Sequence, residues 1–326
     1  MDTFTTTRIL PLLISALTLT FYVGASSAEQ QIQPSPSSAL NATLLDHRIL
    51  SDIHINDIKF SEASGASFDH DKQLLRVVSD RARLFAFAVP VRDGKFTTIE
   101  PVSGVKLLDA DGTQMRRAGF NPEGLETYNG NNGRTGDANV VVVSETGPSI
   151  ARFSASGELI SFIAVPDAVS DPDLQRSVKD GLESFAQHPD FGLLTAPEEP
   201  LLGEPRRVHT IFGAAGPLFS FDVSEAGSTS IKSLEVLPDG RILVLENLKS
   251  KEKATLTPIL RVLDPSRCVE NFCPTLWTAV PIPGVPDAKF EGVAEIGNGK
   301  LVLVSDDKID GVHRTVFALV KLADSQ

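Results

Sequence analysis

A chain of 326 residues, 41% hydrophobic and 22% charged, is long enough for one large or two ordinary domains and falls among globular soluble proteins. Its formal net charge of −12 argues against nucleic acid or an anionic membrane as a partner and suits a cationic ligand or a metal better. Asp2 and Arg8 cancel, so that charge survives loss of the first 28 residues.

At the N-terminus Arg8 precedes an apolar run, Ile9 to Gly24, and then Ala25-Ser26-Ser27-Ala28. This is the order of a secretory signal, with cleavage expected after Ala28 and a secreted, extracellular protein as the consequence. A membrane anchor is the rival reading, but a run of about 16 residues is short of the roughly 20 that a spanning helix needs. Secretion gives meaning to two other features. Asn41-Ala42-Thr43 becomes a usable N-glycosylation acceptor, and Cys268 and Cys273 become a candidate disulfide closing a small loop, with two unpaired thiols as the alternative.

Residues 29–41 are polar and proline-bearing and read as a flexible leader, so a single ordered domain is expected over 42–326. From Ala42 onward the chain is a succession of short Val, Ile, Leu and Phe runs bounded by Gly, Pro, Asn and Asp, which predicts strands throughout. Pro172 to Val178 is the one short helical exception.

A pattern recurs along these strands: Ser64-Gly65-Ala66, Pro122-Glu123-Gly124-Leu125-Glu126, Lys179-Asp180-Gly181-Leu182-Glu183, Lys232-Ser233-Leu234-Glu235 and Phe290-Glu291-Gly292-Val293. Each copy is followed by a second apolar run that ends on an acid. The column Gly65, Gly124, Gly181, Ser233, Gly292 has intervals of 59, 57, 52 and 59 residues, which fits one four-stranded unit per repeat. The first unit is expected to place strands over 66–69, 74–79, 84–89 and 96–108. Radial repetition of such sheets is an all-β fold, a β-propeller. Five blades are counted; a sixth results if the region 200–230 is divided differently, and an open β-sandwich would not predict the glycine column. The last unit, 292–326, has room for three strands only, with 315–321 as the third. The unassigned segment 43–55 is therefore expected to supply the fourth and close the ring.

In a propeller the start of the first strand and the end of the second emerge on one face. That gathers Glu123, Asp180 and Glu291 with Glu145, Glu198, Glu246 and Asp306, and brings Glu62, Asp80 and Asp307 near. Crowded carboxylates repel one another, and a Ca²⁺ ion with six to eight oxygen ligands relieves that repulsion. The alternative is that each acid accepts hydrogen bonds from the neighbouring blade and braces the ring. Nucleophilic catalysis has little support. Gly147-Pro148-Ser149-Ile150-Ala151 lacks the final glycine of a nucleophile elbow, and none of the six histidines forms a metal pair or an evident dyad.

Glu123-Gly124-Leu125-Glu126, Val143-Ser144-Glu145 with Pro148, Asp180-Gly181-Leu182-Glu183, Leu243-Val244-Leu245-Glu246, and Phe290-Glu291-Gly292-Val293 with Val304-Ser305-Asp306-Asp307 together resemble the phytase-like family described as "esterase-like activity of phytase". The resemblance runs from about Ser61 to Lys321. It implies a secreted or periplasmic propeller acting on carboxylate or phosphate esters, with Ca²⁺ at some of the acids and Arg116-Arg117 as the nearest basic pair for a substrate. The expected ligand is a small molecule on the channel face of a monomer. A non-catalytic extracellular binding propeller with the same acidic face is the second reading.

Overall fold

The computed structural model describes Met1 and residues 39–223, 229–249, 256–285, 288–309 and 311–323, and the architecture is that of the unit Gln33–Gln326. The expected signal segment apart from Met1, and all of the expected leader but its last three residues, lie outside the described residues. No helix among them is long and apolar enough to cross a membrane.

The chain forms five four-stranded antiparallel blades. Blade 1 comprises Ala63–Asp69, Leu74–Ser79, Arg83–Ala88 and Glu100–Lys106. Blade 2 comprises Pro122–Tyr128, Asn139–Ser144, Ser149–Ser154 and Leu159–Ile163. Blade 3 comprises Leu182–His188, Gly192–Pro197, Val208–Gly213 and Gly216–Asp222. Blade 4 comprises Thr229–Val236, Ile242–Lys249, Leu256–Leu263 and Thr275–Ala279. Blade 5 takes Phe290–Glu295, Lys300–Ser305 and Val312–Leu322 from the C-terminus and Ala42–Ser51 from the N-terminus. That last strand runs antiparallel to Val312–Leu322, from Ala42 opposite Leu322 to Ser51 opposite Arg314, so the final blade is completed as the residue count requires.

The apolar runs explain why the blades stack into a ring. Successive side chains of a strand point to opposite faces, so a strand buried on both sides is apolar without interruption. In blade 2, Val140 and Val142 pack with blade 1 while Val141 and Val143 pack with blade 3. Ile242 and Val244 face blade 3, whereas Leu243 and Leu245 face blade 5. Leu301 and Leu303 face blade 4, and Val302 and Val304 face blade 1. The apolar clusters thus fill all five blade interfaces, the interface between blades 5 and 1 included.

Local departures from the predicted strands have simple causes. Asp93-Gly94 turns a separate two-stranded ribbon, Val91–Arg92 with Lys95–Phe96, inserted before the outer strand of blade 1. The helical signal near Pro172 resolves into a short helix, Asp167–Ser170, and a 3₁₀ turn, Pro172–Leu174, in which the Asp171 side chain caps the Asp173 amide. Leu40 is buried, and its amide donates to the Trp277 carbonyl at 3.1 Å. The last leader residues are therefore fastened to the outer strand of blade 4. Asn41 is exposed.

Cys268 and Cys273 form a disulfide. It closes a turn in which Glu270 and Asn271 take the left-handed region, φ 49° and 68°. The Cys273 amide and the Asn271 carbonyl bond to Ser220, so this loop from blade 4 covers the free edge of blade 3.

Candidate functional site

Each innermost strand begins with a β-bulge: between Ala63 and Gly65, Pro122 and Leu125, Leu182 and Ser184, Ile231 and Ser233, and Phe290 and Gly292. A bulge turns one side chain out of the strand's alternation. The residues so placed, Ser64, Glu123, Glu183, Lys232 and Glu291, all line one funnel at the mouth of the channel. The position just past the inner pairing of each second strand adds Asp80, Glu145, Glu198 and Asp306 to the same funnel.

The funnel encloses about 210 Å³, and seven carboxyl groups and four cations line it: Asp80, Glu123, Glu145, Glu183, Glu198, Glu291 and Asp306 against Arg117, Lys179, Lys232 and Lys289. It adjoins a larger cleft of about 770 Å³ between blades 2 and 3, with which it shares Arg117, Glu145 and Lys179. The cleft is otherwise faced by Pro148, Pro172, Val178, Asn121 and Gln175.

Two of the predicted acids lie elsewhere. Glu246 is fully buried inside blade 4, where Arg261 Nε and Nη2 each reach its Oε2 at 3.0 Å. The blade-4 residue in register with Glu145 and Asp306 is Asn247, whose Nδ2 donates to the Phe290 carbonyl at 2.9 Å. A one-residue offset in a strand sends the side chain to the other face. Asp180 precedes its strand and lines neither cavity; the blade-3 bulge position equivalent to Glu123 belongs to Glu183. Of the basic pair, Arg117 reaches both cavities and lies 3.1 Å from Asp80, while Arg116 is exposed and lines neither. Glu62 pairs with Arg81, and Asp307 accepts from the Lys289 amide at 2.9 Å.

The charges divide the funnel into two sides. On one, the ammonium of Lys232 lies 2.6 Å from Glu183 Oε1, 2.7 Å from Glu198 Oε1 and 3.3 Å from Glu291 Oε2. Burial pulls the pKa of Lys232 down, but the three carboxylates outweigh it and hold the pKa well above the ordinary lysine range. Lys289 pairs with the other oxygen of Glu291. On the opposite side, Asn121 Nδ2 donates to both Glu123, at 2.6 Å, and Glu145. Burial and the charges of Glu183, Asp80, Glu145 and Glu291 push Glu123 well above the carboxylate range. Burial and Asp80 raise Asp306 to about 7. Among the described residues no backbone amide donates to Glu123, Glu145, Glu183, Glu198 or Glu291, so bracing at the mouth runs through Lys232 and Asn121 instead.

Glu123, Glu145 and Glu183 each offer an oxygen, and the three atoms lie within 4.8 Å of one another. An all-oxygen, anionic donor set suits a hard cation such as Ca²⁺. Asn121 holds two of these carboxylates in place from behind, and its own Oδ1 is buried with no hydrogen-bond partner among the described residues. The residues present therefore fit a divalent cation on this side of the funnel. Asn121, two residues ahead of the acid, carries no signal in the repeat, whereas Lys232 and Ser64 are visible in the sequence as the two non-acidic members of the column.

No curated protein sequence matches this chain. Among solved structures, Raptor of Chaetomium thermophilum is 16% identical with a TM-score of 0.40, over 80% of this chain and 20% of that one. This chain thus spans about a fifth of Raptor's length. The PQQ-bound aldose sugar dehydrogenase of Streptomyces coelicolor is 11% identical with a TM-score of 0.44, over 85% of this chain and 99% of that one. The family described as phytase-like, "esterase-like activity of phytase", matches residues 58–308, which cover the acidic bulges of blades 2, 3 and 5 and the lysine of blade 4. The chain belongs to this phytase-like family.

Proposed function

We propose that this propeller is a Ca²⁺-dependent hydrolase of carboxylate or phosphate esters, working at the junction of funnel and cleft. The observation that carries the reading is the convergence of Glu123, Glu145 and Glu183 beside a cleft that shares Arg117, Lys179 and Glu145 with them. A hard cation bound there supplies Lewis acidity toward an ester oxygen. Arg117 and Lys179, at the lip between the two cavities, attract the negative charge that develops on that oxygen. Asp306 exchanges a proton near neutral pH, as a general base must. Pro148, Pro172 and Val178 offer an apolar wall to the organic part of the substrate. Because carboxylates outnumber cations in the funnel, a monoester with an apolar arm suits the site better than a polyanion. The exposed Asn41 acceptor and the disulfide accord with an extracellular protein.

The test is hydrolysis of p-nitrophenyl butyrate and p-nitrophenyl phosphate with Ca²⁺ or with chelator. Turnover that needs Ca²⁺ and falls at least 100-fold in Glu123→Gln/Glu145→Gln is expected, the size that loss of a transition-state charge stabiliser gives. Absence of turnover on both substrates, or the same rate in chelator, would count against catalysis. It would leave the binding propeller, with Lys232 and Asn121 as braces, as the better reading.

A further inference from the structure

Lys232 stands where an ion would be expected. Its Nζ is met by one oxygen each from Glu183, Glu198 and Glu291, two from blade 3 and one from blade 5, at 2.6, 2.7 and 3.3 Å. Lys232 and Glu291 are buried, and the Glu291 oxygen that Lys232 does not meet pairs with Lys289. This is the geometry of a carboxylate cage around a cation. The cation is covalently attached, delivered by the blade-4 bulge that elsewhere presents serine or glutamate.

We propose that Lys232 is a built-in cation that fills a second divalent-metal site, and that removing it opens that site to Ca²⁺. This rests on the reading that Glu123, Glu145 and Glu183 bind one Ca²⁺, and it goes further by fixing the number of ions at the mouth. One ion goes to the Asn121 side, because the ammonium already neutralises the other side. Glu183, common to both sets, is then the carboxylate that bridges the ion and the ammonium. A tethered ammonium accepts three carboxylates without dissociating in low calcium, so three blades stay tied together when the ion leaves. The mouth then keeps its shape whether or not Ca²⁺ is bound.

The test uses the full folded chain and Ca²⁺ as the probe. Lys232→Ser places at the blade-4 bulge the residue that blade 1 already carries there as Ser64, and Lys232→Arg keeps the charge. Stoichiometry is read by calorimetric titration, and Tm is read in chelator and in millimolar Ca²⁺. One Ca²⁺ is expected in the wild type and in Lys232→Arg. Lys232→Ser should bind two and show a low Tm in chelator that Ca²⁺ restores. Equal stoichiometry in Lys232→Ser and wild type would overturn the proposal, as would a Lys232→Ser protein that Ca²⁺ cannot rescue. If the wild type binds none and Lys232→Ser binds one, the cage reading stands and the first metal site falls.

Discussion

At the scale of single residues, the chemistry lies in side chains that the strand pattern cannot accommodate. Glu126, Glu235 and Glu295, from the inner strands of blades 2, 4 and 5, interact across the channel away from the mouth, and no lysine or arginine pairs with them among the described residues. Burial raises Glu126 to about 8. Its folded pKa lies above its unfolded value near 4.5, so folding is favoured most below that value, and the advantage is lost as pH rises from about 4.5 to 8. Glu126→Gln should therefore leave Tm unchanged near pH 4 and raise stability at pH 9 by on the order of 2–4 kcal/mol, measured by chemical denaturation. A variant with the wild-type pH slope would show that Glu126 ionises freely in the channel.

The sequence pattern places Glu123, Glu145, Glu198, Glu291 and Asp306 at strand starts or strand ends, and these residues line the funnel. It slipped at Glu246 and Asp180. Asp180-Gly181-Leu182-Glu183 copies the letters of Glu123-Gly124-Leu125-Glu126, yet the strand pairing aligns Glu183 with Glu123. Composition alone does not reveal where a bulge falls.

At the scale of elements, the repeated unit is an inner strand with a bulge, followed by a hairpin partner, and its glycine is a packing requirement. A Cβ on Gly124 would meet Ser184 Cα at 2.7 Å and the Phe185 nitrogen at 2.9 Å; on Gly65 it would meet the Glu123 carbonyl at 2.5 Å. Backbones of adjacent blades touch there, immediately beside the funnel. Gly124→Ala should cost about 1–3 kcal/mol and also weaken Ca²⁺ binding, because the Glu123 bulge and the Glu183 bulge must move apart. Denaturant unfolding and a calcium titration of the same variant check both parts; a fully stable variant with intact binding would contradict the close-approach account. The same contact made the fold legible. The column Gly65, Gly124, Gly292 keeps its period because the contact recurs, while Ser184 and Ser233 fill the blade-3 and blade-4 positions. Aligned on the bulges, Gly65, Gly124, Ser184, Ser233 and Gly292 are 59, 60, 49 and 59 residues apart, so the one short interval is that from blade 3 to blade 4.

At the scale of the whole molecule, ring closure completes the site. The funnel takes its bulge residues from all five blades, so its wall is whole only with Ala42–Ser51 paired to Val312–Leu322 and blade 5 packed on blade 1. Counting residues foresaw that closure; it could not foresee that an asparagine and a lysine would divide the mouth into a side open to a cation and a side already neutralised. The central claim is the open side, and thermal melting across a calcium titration tests it most directly, because an ion that binds only the folded ring raises Tm as its concentration exceeds its Kd. A Tm that rises with Ca²⁺ in the wild type, and no longer rises in Glu123→Gln/Glu145→Gln, is the predicted result. A wild-type Tm that is the same in chelator and in millimolar Ca²⁺ would contradict it.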